Sequence, residues 1–298
     1  MKTIKQRISY AVMGLMAMGF TACTQNEDMA PTLKGQEINA TFSVGGMQTR
    51  VNTLGHGDSW EDKDKLKVSI FTDSDHGSTT VLSFNGETWS RAGSFRWLTD
   101  YEQHTILAVY PSDTDFWQEN LQYDLQTDQS SEGNLKNADL ITGYWYDFPR
   151  SYYVDIPMKH RMSLITIVYH VGTADYPNKD ISEPQVYSKN NSVRFFRDQD
   201  QGKFVMNTPS GNPDWVQACK HDGDMFSAIV IPGSYKAGEI FVKFKIGDKN
   251  FHAKMKSNTE FQEGHRYTYK LDVGKDKVEL TQISIDNMTG WTNEEELK

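Results

Sequence analysis

Cysteine is nearly missing from this chain, which holds two, Cys23 and Cys219, in 298 residues. A disulfide-stapled scaffold is therefore excluded, and stability has to come from buried apolar surface. Basic residues are in deficit, with 31 Lys and Arg against 40 Asp and Glu. That balance argues against a nucleic-acid partner, because phosphates are bound mainly by Lys and Arg. The eight histidines form no H-E-x-x-H and no closely spaced His/Cys set. No G-x-S-x-G elbow, P-loop or GxGxxG is present. The sequence thus offers no catalytic residue, metal site or cofactor, and no enzyme is expected. "RDQDQGK", with Asp198, Asp200 and Gly202, has the oxygen-rich start of a calcium loop but lacks the downstream Glu. It reads as a solvated turn.

The N-terminus carries an export signal. "MKTIKQR" supplies Lys2, Lys5 and Arg7 without an acidic residue, and the 13-residue apolar run "ISYAVMGLMAMGF" follows. These are the two regions of a secretory signal, and the run falls short of the roughly 20 residues that a membrane span needs. Thr21 and Ala22 then precede Cys23, as the small residues of a bacterial lipobox precede its acylated cysteine. One acylated cysteine anchors a protein to a membrane without spanning it. Loss of the signal removes three of the 31 basic residues and leaves 28 against 40 acidic ones, so the mature surface is more acidic still. The next stretch, "TQNEDMAPTLKGQ", is polar, holds Pro31 and Gly35, and reads as a tether.

Beyond the tether, apolar residues alternate with period two, as in half-buried strands. "EINATFSV" puts Ile38, Ala40, Phe42 and Val44 on one face, and "KLKVSIF" does the same with Leu66, Val68 and Ile70. "HTILAVYP", "SLITIVYHV", "MFSAIVIP", "EIFVKFKIG" and "HRYTYKLDV" continue the series, with Gly, Asn, Asp and Pro clusters between them. No window sustains a helical apolar stripe over three turns. The expected class is all-β, most simply two β-sandwiches. In the last segment the apolar phase slips between Val278, Leu280 and Ile283, Ile285. Either a β-bulge near residues 281–282 or two separate short strands accounts for the slip.

The order of several short pieces resembles the fimbrillin family, the Mfa-like lipoproteins that supply subunits of type V pili in Gram-negative anaerobes. After the lipobox these are "TRVN" at 49–52, "WEDKDKLKVSIF" at 60–71, "HTILAVYPSD" at 104–113, "NADLITGYW" at 137–145 and "DIPMKHRMSLITIVYHV" at 155–171. "FQEGHRYTYKLDVGKDKVELTQISIDNMTGW" closes the series at 261–291. The resemblance implies two transthyretin-like β-sandwich domains and a structural or adhesive role at the cell surface, with His160 in a packing or hydrogen-bonding role. With the boundary placed where "FPRS" ends the aromatic cluster, the chain divides into a signal peptide (1–22), a lipidated tether (23–36) and two domains (37–152 and 153–298). The resemblance further implies an outer-membrane lipoprotein from which an arginine-specific protease removes the first strand. A strand from another subunit then fills the slot.

Placed on this chain, the cut falls between Arg50 and Val51, just after Gly45 and Gly46, which interrupt a strand and leave the backbone accessible. It would release Cys23 together with Ile38, Ala40, Phe42 and Val44, exposing an apolar slot and unpaired backbone groups that invite strand addition. The donor or closing strand would comprise Val278, Leu280, Ile283, Ile285 and Trp291. The terminal "TNEEELK" has one apolar residue, Leu297, and cannot fill such a slot, which favours a tip or accessory subunit over a stalk subunit. "GYWYDFPRSYY" concentrates Tyr144, Trp145, Tyr146 and Phe148. It is either a contact between the domains or an exposed aromatic patch for a glycan or host protein. The alternative to a pilus subunit is a permanently lipid-anchored surface protein that binds such a ligand.

Overall fold

The computed structural model describes residues 32–44, 60–90, 93–117, 120–172, 180–198, 203–274 and 277–287. The signal peptide, Cys23, Arg50, Val51 and Trp291 lie outside the described residues. All described residues from Leu33 on belong to one compact unit. The alternating segments become strands as their period requires. In 153–160, for example, Val154, Ile156, Met158 and His160 are buried while Tyr153, Asp155, Pro157 and Lys159 are exposed, the two faces of a pleated strand.

In chain order the elements begin with β1 (Asn39–Val44), β2 (Lys65–Phe71), β3 (Ser78–Ser83), β4 (His104–Tyr110), β5 (Phe116–Trp117) and β6 (Asn120–Asp124). Then come α1 (Glu132–Asn137), β7 (Ile141–Asp147), β8 (Tyr153–His160), β9 (Ser163–Val171), β10 (Ile181–Ser188), β11 (Ser192–Asp198) and β12 (Lys203–Met206). The chain continues with β13 (Asp214–Gln217), β14 (Cys219–His221), β15 (Met225–Val230), β16 (Gly233–Tyr235) and β17 (Ile240–Ile246). It finishes with β18 (Lys249–Lys254), β19 (Thr259–Phe261), β20 (His265–Val273) and β21 (Val278–Asn287). The chain is thus nearly all β, as its alternation requires. The one described helix, α1, is capped by the Ser131 side chain, which accepts from the Asn134 N–H.

The N-terminal sheet runs β1-β8-β7-β4-β2-β3, and a five-stranded sheet runs β14-β15-β9-β20-β21. Two four-stranded sheets, β13-β10-β17-β18 and β12-β11-β6-β5, and the pair β16-β19 complete the fold. Most neighbours are antiparallel, but β1 with β8 and β20 with β9 are parallel. At the β7–β8 pair, a Cβ on Gly143 would collide with the Met158 and Ile156 side chains, so glycine lets these strands approach.

Buried apolar residues form two cores, one within 38–158 and a larger one reaching from Leu107 to Leu280. Strand β4 serves both: Ile106, Ala108 and Tyr110 enter the first, and Leu107 and Val109 the second. All seven residues of "HTILAVY" are therefore buried, and this strand is not half-buried as its pattern suggested. The expected boundary at 152/153 falls one strand before the change of sheet, because β8 pairs with β1 and β7 whereas β9 joins β15 and β20. Strand β5 pairs with β6, which pairs onward to β11.

Candidate assembly site at the edge strand β1

Strand β1 is the edge of the six-stranded sheet and, among the described residues, pairs only with β8, in the register Asn39↔Tyr153 to Val44↔Met158. Alternation sends Ile38, Phe42 and Val44 into the first core, each at most 3% exposed. Ala40 is half-buried against the same core. The opposite face is tied down by one carboxylate: Thr41 Oγ1 donates to Asp155 Oδ1 at 2.7 Å and Ser43 Oγ to Asp155 Oδ2 at 3.1 Å.

Phe42 sits in an aromatic box. Its ring meets Trp89 edge-on at 5.2 Å, Trp89 meets Trp60 at 5.1 Å and Phe84 at 5.2 Å. The Trp60 indole N–H donates to the Phe42 carbonyl at 2.8 Å. The Asn39 N–H points to the β8 side, where it donates to Tyr152 O, just ahead of β8, at 2.8 Å. By alternation the Ala40 and Phe42 backbone groups point away from β8, toward the open edge. That edge borders a cleft of about 590 Å³ lined by Phe42, Trp60, Leu82, Phe84, Trp89 and Tyr153.

The segment ahead of β1, read from sequence as tether, is held as well. Gly35 N–H donates to Trp97 O at 2.7 Å, Trp97 N–H to Gln36 O at 3.0 Å and Ile38 N–H to Phe95 O at 3.0 Å. The Leu33 and Lys34 amides both donate to Asp100 Oδ1, at 2.6 and 2.8 Å. Most of these clamps join residues more than 60 positions apart, and they leave no periodic trace in the sequence. Behind them, His104 is fully buried, and its Nε2 accepts from the Leu98 and Thr99 amides at 3.0 and 3.3 Å. Burial pushes its pKa below the ordinary histidine value, against a smaller upward pull from its hydrogen bond to the Glu102 carbonyl.

At the other end of the chain, β21 pairs with β20 over its whole length and is an edge strand in turn. The register runs Thr268↔Ser284 and then Tyr269↔Gln282, so Ile283 is the extra residue of a single bulged strand. Leu280 is buried and Val278 half-buried, while Ile283 and Ile285 stand 50% and 52% exposed. The bulge therefore does not bring all four onto one buried face. Glu279 joins Lys256 at 2.9 Å and Lys277 at 2.8 Å.

Residues 144–148 do not form one exposed patch. Tyr144 stacks on Phe204 at 6.2 Å, on the side of the larger core, and Trp145 packs on Trp97 at 5.5 Å, on the side of the first. Tyr146 donates to Gln103 Oε1 at 2.9 Å beneath the Arg197 guanidinium. Phe148 is exposed, as is Tyr153 beside β1. His160 is buried, with Nδ1 2.8 Å from Asp139 Oδ2. The next residue, Arg161, is also buried. It donates to Thr142 Oγ1 at 2.6 Å and to Phe204 O at 3.2 Å, and it reaches Glu263 at 3.3 Å, which links β7, β12 and the turn before β20.

Among the described residues no group of His, Cys, Asp and Glu is arranged to hold a metal, and no helix is long and apolar enough to cross a membrane.

Residues 49–287 match a family model described as fimbrillin-like. No curated protein matches the chain. Among solved structures, a candidate cell adhesion protein from Bacteroides uniformis is similar over 88% of this chain and 99% of its own, with 16% identity and a TM-score of 0.63. Another, from Bacteroides ovatus, covers 87% of this chain and 99% of its own at 14% identity and a TM-score of 0.59. At such identities the likeness is one of fold.

Proposed function

This chain belongs to the fimbrillin-like family, and from that premise we propose that it is a subunit of a type V pilus in which β1 is a replaceable strand. It reaches the outer membrane as a lipoprotein held by Cys23, loses everything up to Arg50, and accepts a strand from a neighbouring subunit into the vacated slot. The assembled subunit stands at the cell surface, with an adhesive role in keeping with the descriptions of the two Bacteroides proteins. Its two cores correspond to two transthyretin-like sandwich domains.

The observation that carries this reading is the placement of β1. Among the described residues it is an edge strand with a single strand partner, yet with the residue just ahead of it, it seats Ile38, Phe42 and Val44 in the core. Burying three such side chains contributes about 5–9 kcal/mol, before the ordering cost is subtracted. That is comparable to the whole stability of a domain, about 5–15 kcal/mol. A body without β1 is therefore left with a strong demand for a replacement of the same pattern, and edge backbone and apolar slot together select a strand. Strand β21, by contrast, is already seated along β20 and contributes Leu280 to the larger core. This favours a tip or accessory subunit that accepts a strand without giving up its own.

The test is exchange. Protein cut after Arg50 and freed of β1 should bind a synthetic peptide of residues 36–48, and the same peptide with Phe42→Asp should not bind. Equal binding of both peptides, or of neither, would contradict the strand-replacement mechanism.

A further inference from the structure

The β13-β10-β17-β18 sheet buries one face, through Val216, Ile181, Val186, Val242, Phe244 and Ala253, in the larger core. Its other face carries partly and fully exposed polar side chains and is rich in lysine. Over residues 240–256 the chain carries five lysines and one aspartate, within a protein whose formal net charge is −9. Alternation sends Lys243 and Lys245 of β17, and His252 and Lys254 of β18, outward, because Val242, Phe244, Ile246 and Ala253 point in.

The strand registers set these residues in rows. Gln217 faces Gln185, Gln185 faces Lys243 and Lys243 faces His252, so four polar side chains cross the sheet at the strand spacing of about 4.8 Å. Beside this row stand Trp215 and Tyr187, themselves cross-strand partners with ring centroids 5.1 Å apart.

Lys243 is the centre of the arrangement. Its Nζ lies 3.8 Å from the centroid of the Trp215 ring, and among the described residues no carboxylate pairs with it. An aromatic face holds a cation in place without cancelling its charge. Lys243 is thus fixed and still able to meet an anion, whereas Lys245 is paired with Glu183 at 2.6 Å. Gln217 is oriented too, since its Nε2 donates to the Pro184 carbonyl at 3.2 Å. That leaves its side-chain oxygen available to a hydroxyl donor.

We propose that this face binds an acidic glycan, a polysaccharide whose carboxylate or sulfate groups meet Lys243, His252 and Lys254. Its hydroxyls meet Gln185 and Gln217, and a sugar ring lies against the half-exposed Tyr187. Trp215 is a positioning residue for Lys243. A flat polar face with fixed cations, amides and an aromatic side chain suits a chain of hydroxyls and anions. A protein partner would instead call for an apolar anchor seated in a pocket. The proposal is independent of strand exchange at β1, which lies on another sheet.

The experiment uses the intact mature protein and four immobilised polymers: heparin, polygalacturonate, neutral dextran and polyglutamate. The protein should bind at least one of the two acidic glycans, release it as salt rises, ignore dextran and bind polyglutamate more weakly. Lys243→Gln with Lys254→Gln should weaken glycan binding about tenfold, from the loss of two exposed charge pairs. Lys65→Gln, which removes an equivalent exposed charge from β2, should leave it unchanged. Trp215→Leu should weaken binding at an unaltered circular dichroism spectrum. Absence of binding to both acidic glycans, or equal binding by the double variant and Lys65→Gln, overturns the proposal. Polyglutamate binding as tight as glycan binding would overturn it in favour of an acidic protein partner.

Discussion

Replacing Phe42 by alanine in the intact chain removes the side chain that joins β1 to the Trp60, Trp89 and Phe84 cluster. Phe42 is 1% exposed and meets Trp89 edge-on at 5.2 Å. Truncating a buried phenylalanine costs about 3–5 kcal/mol, part of it from the cavity left behind. Here the cleft of about 590 Å³ beside β1 lets water reach one side of the new space. The cost should therefore lie near the lower end, about 3 kcal/mol. For a chain of this size that corresponds to a fall in melting temperature of about 6–12 °C. Thermal unfolding followed by tryptophan fluorescence would read it, since Trp60 and Trp89 border the site. Ile283→Ala is the matched control on the other edge strand. With Ile283 half exposed, the change should cost about 0.5 kcal/mol or less. If Phe42→Ala shifts the transition no more than Ile283→Ala does, β1 is not seated as described.

Asp100→Ala removes the acceptor of the Leu33 and Lys34 amides. It should loosen this segment by about 1–2 kcal/mol and speed tryptic cleavage after Lys34 about 5–30-fold, as followed by mass spectrometry of the released fragment. Buried His104 must be neutral to accept from Leu98 and Thr99, and its pKa is depressed relative to the unfolded chain. Its contribution is therefore complete above about pH 6.5, the unfolded value, and is lost as pH falls below it. Urea midpoints at pH 7.5 and 5.5 should differ more for the wild type than for His104→Gln. Cys23→Ala should leave the protein in the aqueous phase on detergent phase separation, while the wild type enters the detergent phase.

The burial of β1's inner face could be read from "EINATFSV", because a strand with one face on a core shows its period directly. Its partner could not. Asp155, which holds Thr41 and Ser43, lies 114 and 112 residues away, and a parallel pairing at that separation has no local signature. The clamp on residues 33–38 was missed for a related reason: it is made by backbone amides, to Trp97, Phe95 and Asp100, and polar composition alone reads as tether. Helix α1 is six residues long, too short to declare a period. The sequence left residues 144–148 open between a domain contact and an exposed patch, because nothing local shows that β7 is covered on both sides. The bulge in β21 was legible as a phase slip, although the exposure of Ile283 and Ile285 was not. The Trp215–Lys243 face went unnoticed because its members come from four strands, brought into register only by the fold.

The most direct test of strand replacement is the N-terminus of the subunit in material sheared from the cell surface, read by mass spectrometry. The account predicts that wild-type chains begin at Val51 and carry no lipid, and that Arg50→Ala chains keep an acylated Cys23 and stay in the membrane fraction. Sheared wild-type chains that still begin at acylated Cys23, or Arg50→Ala chains that assemble with a normal processed end, would contradict it.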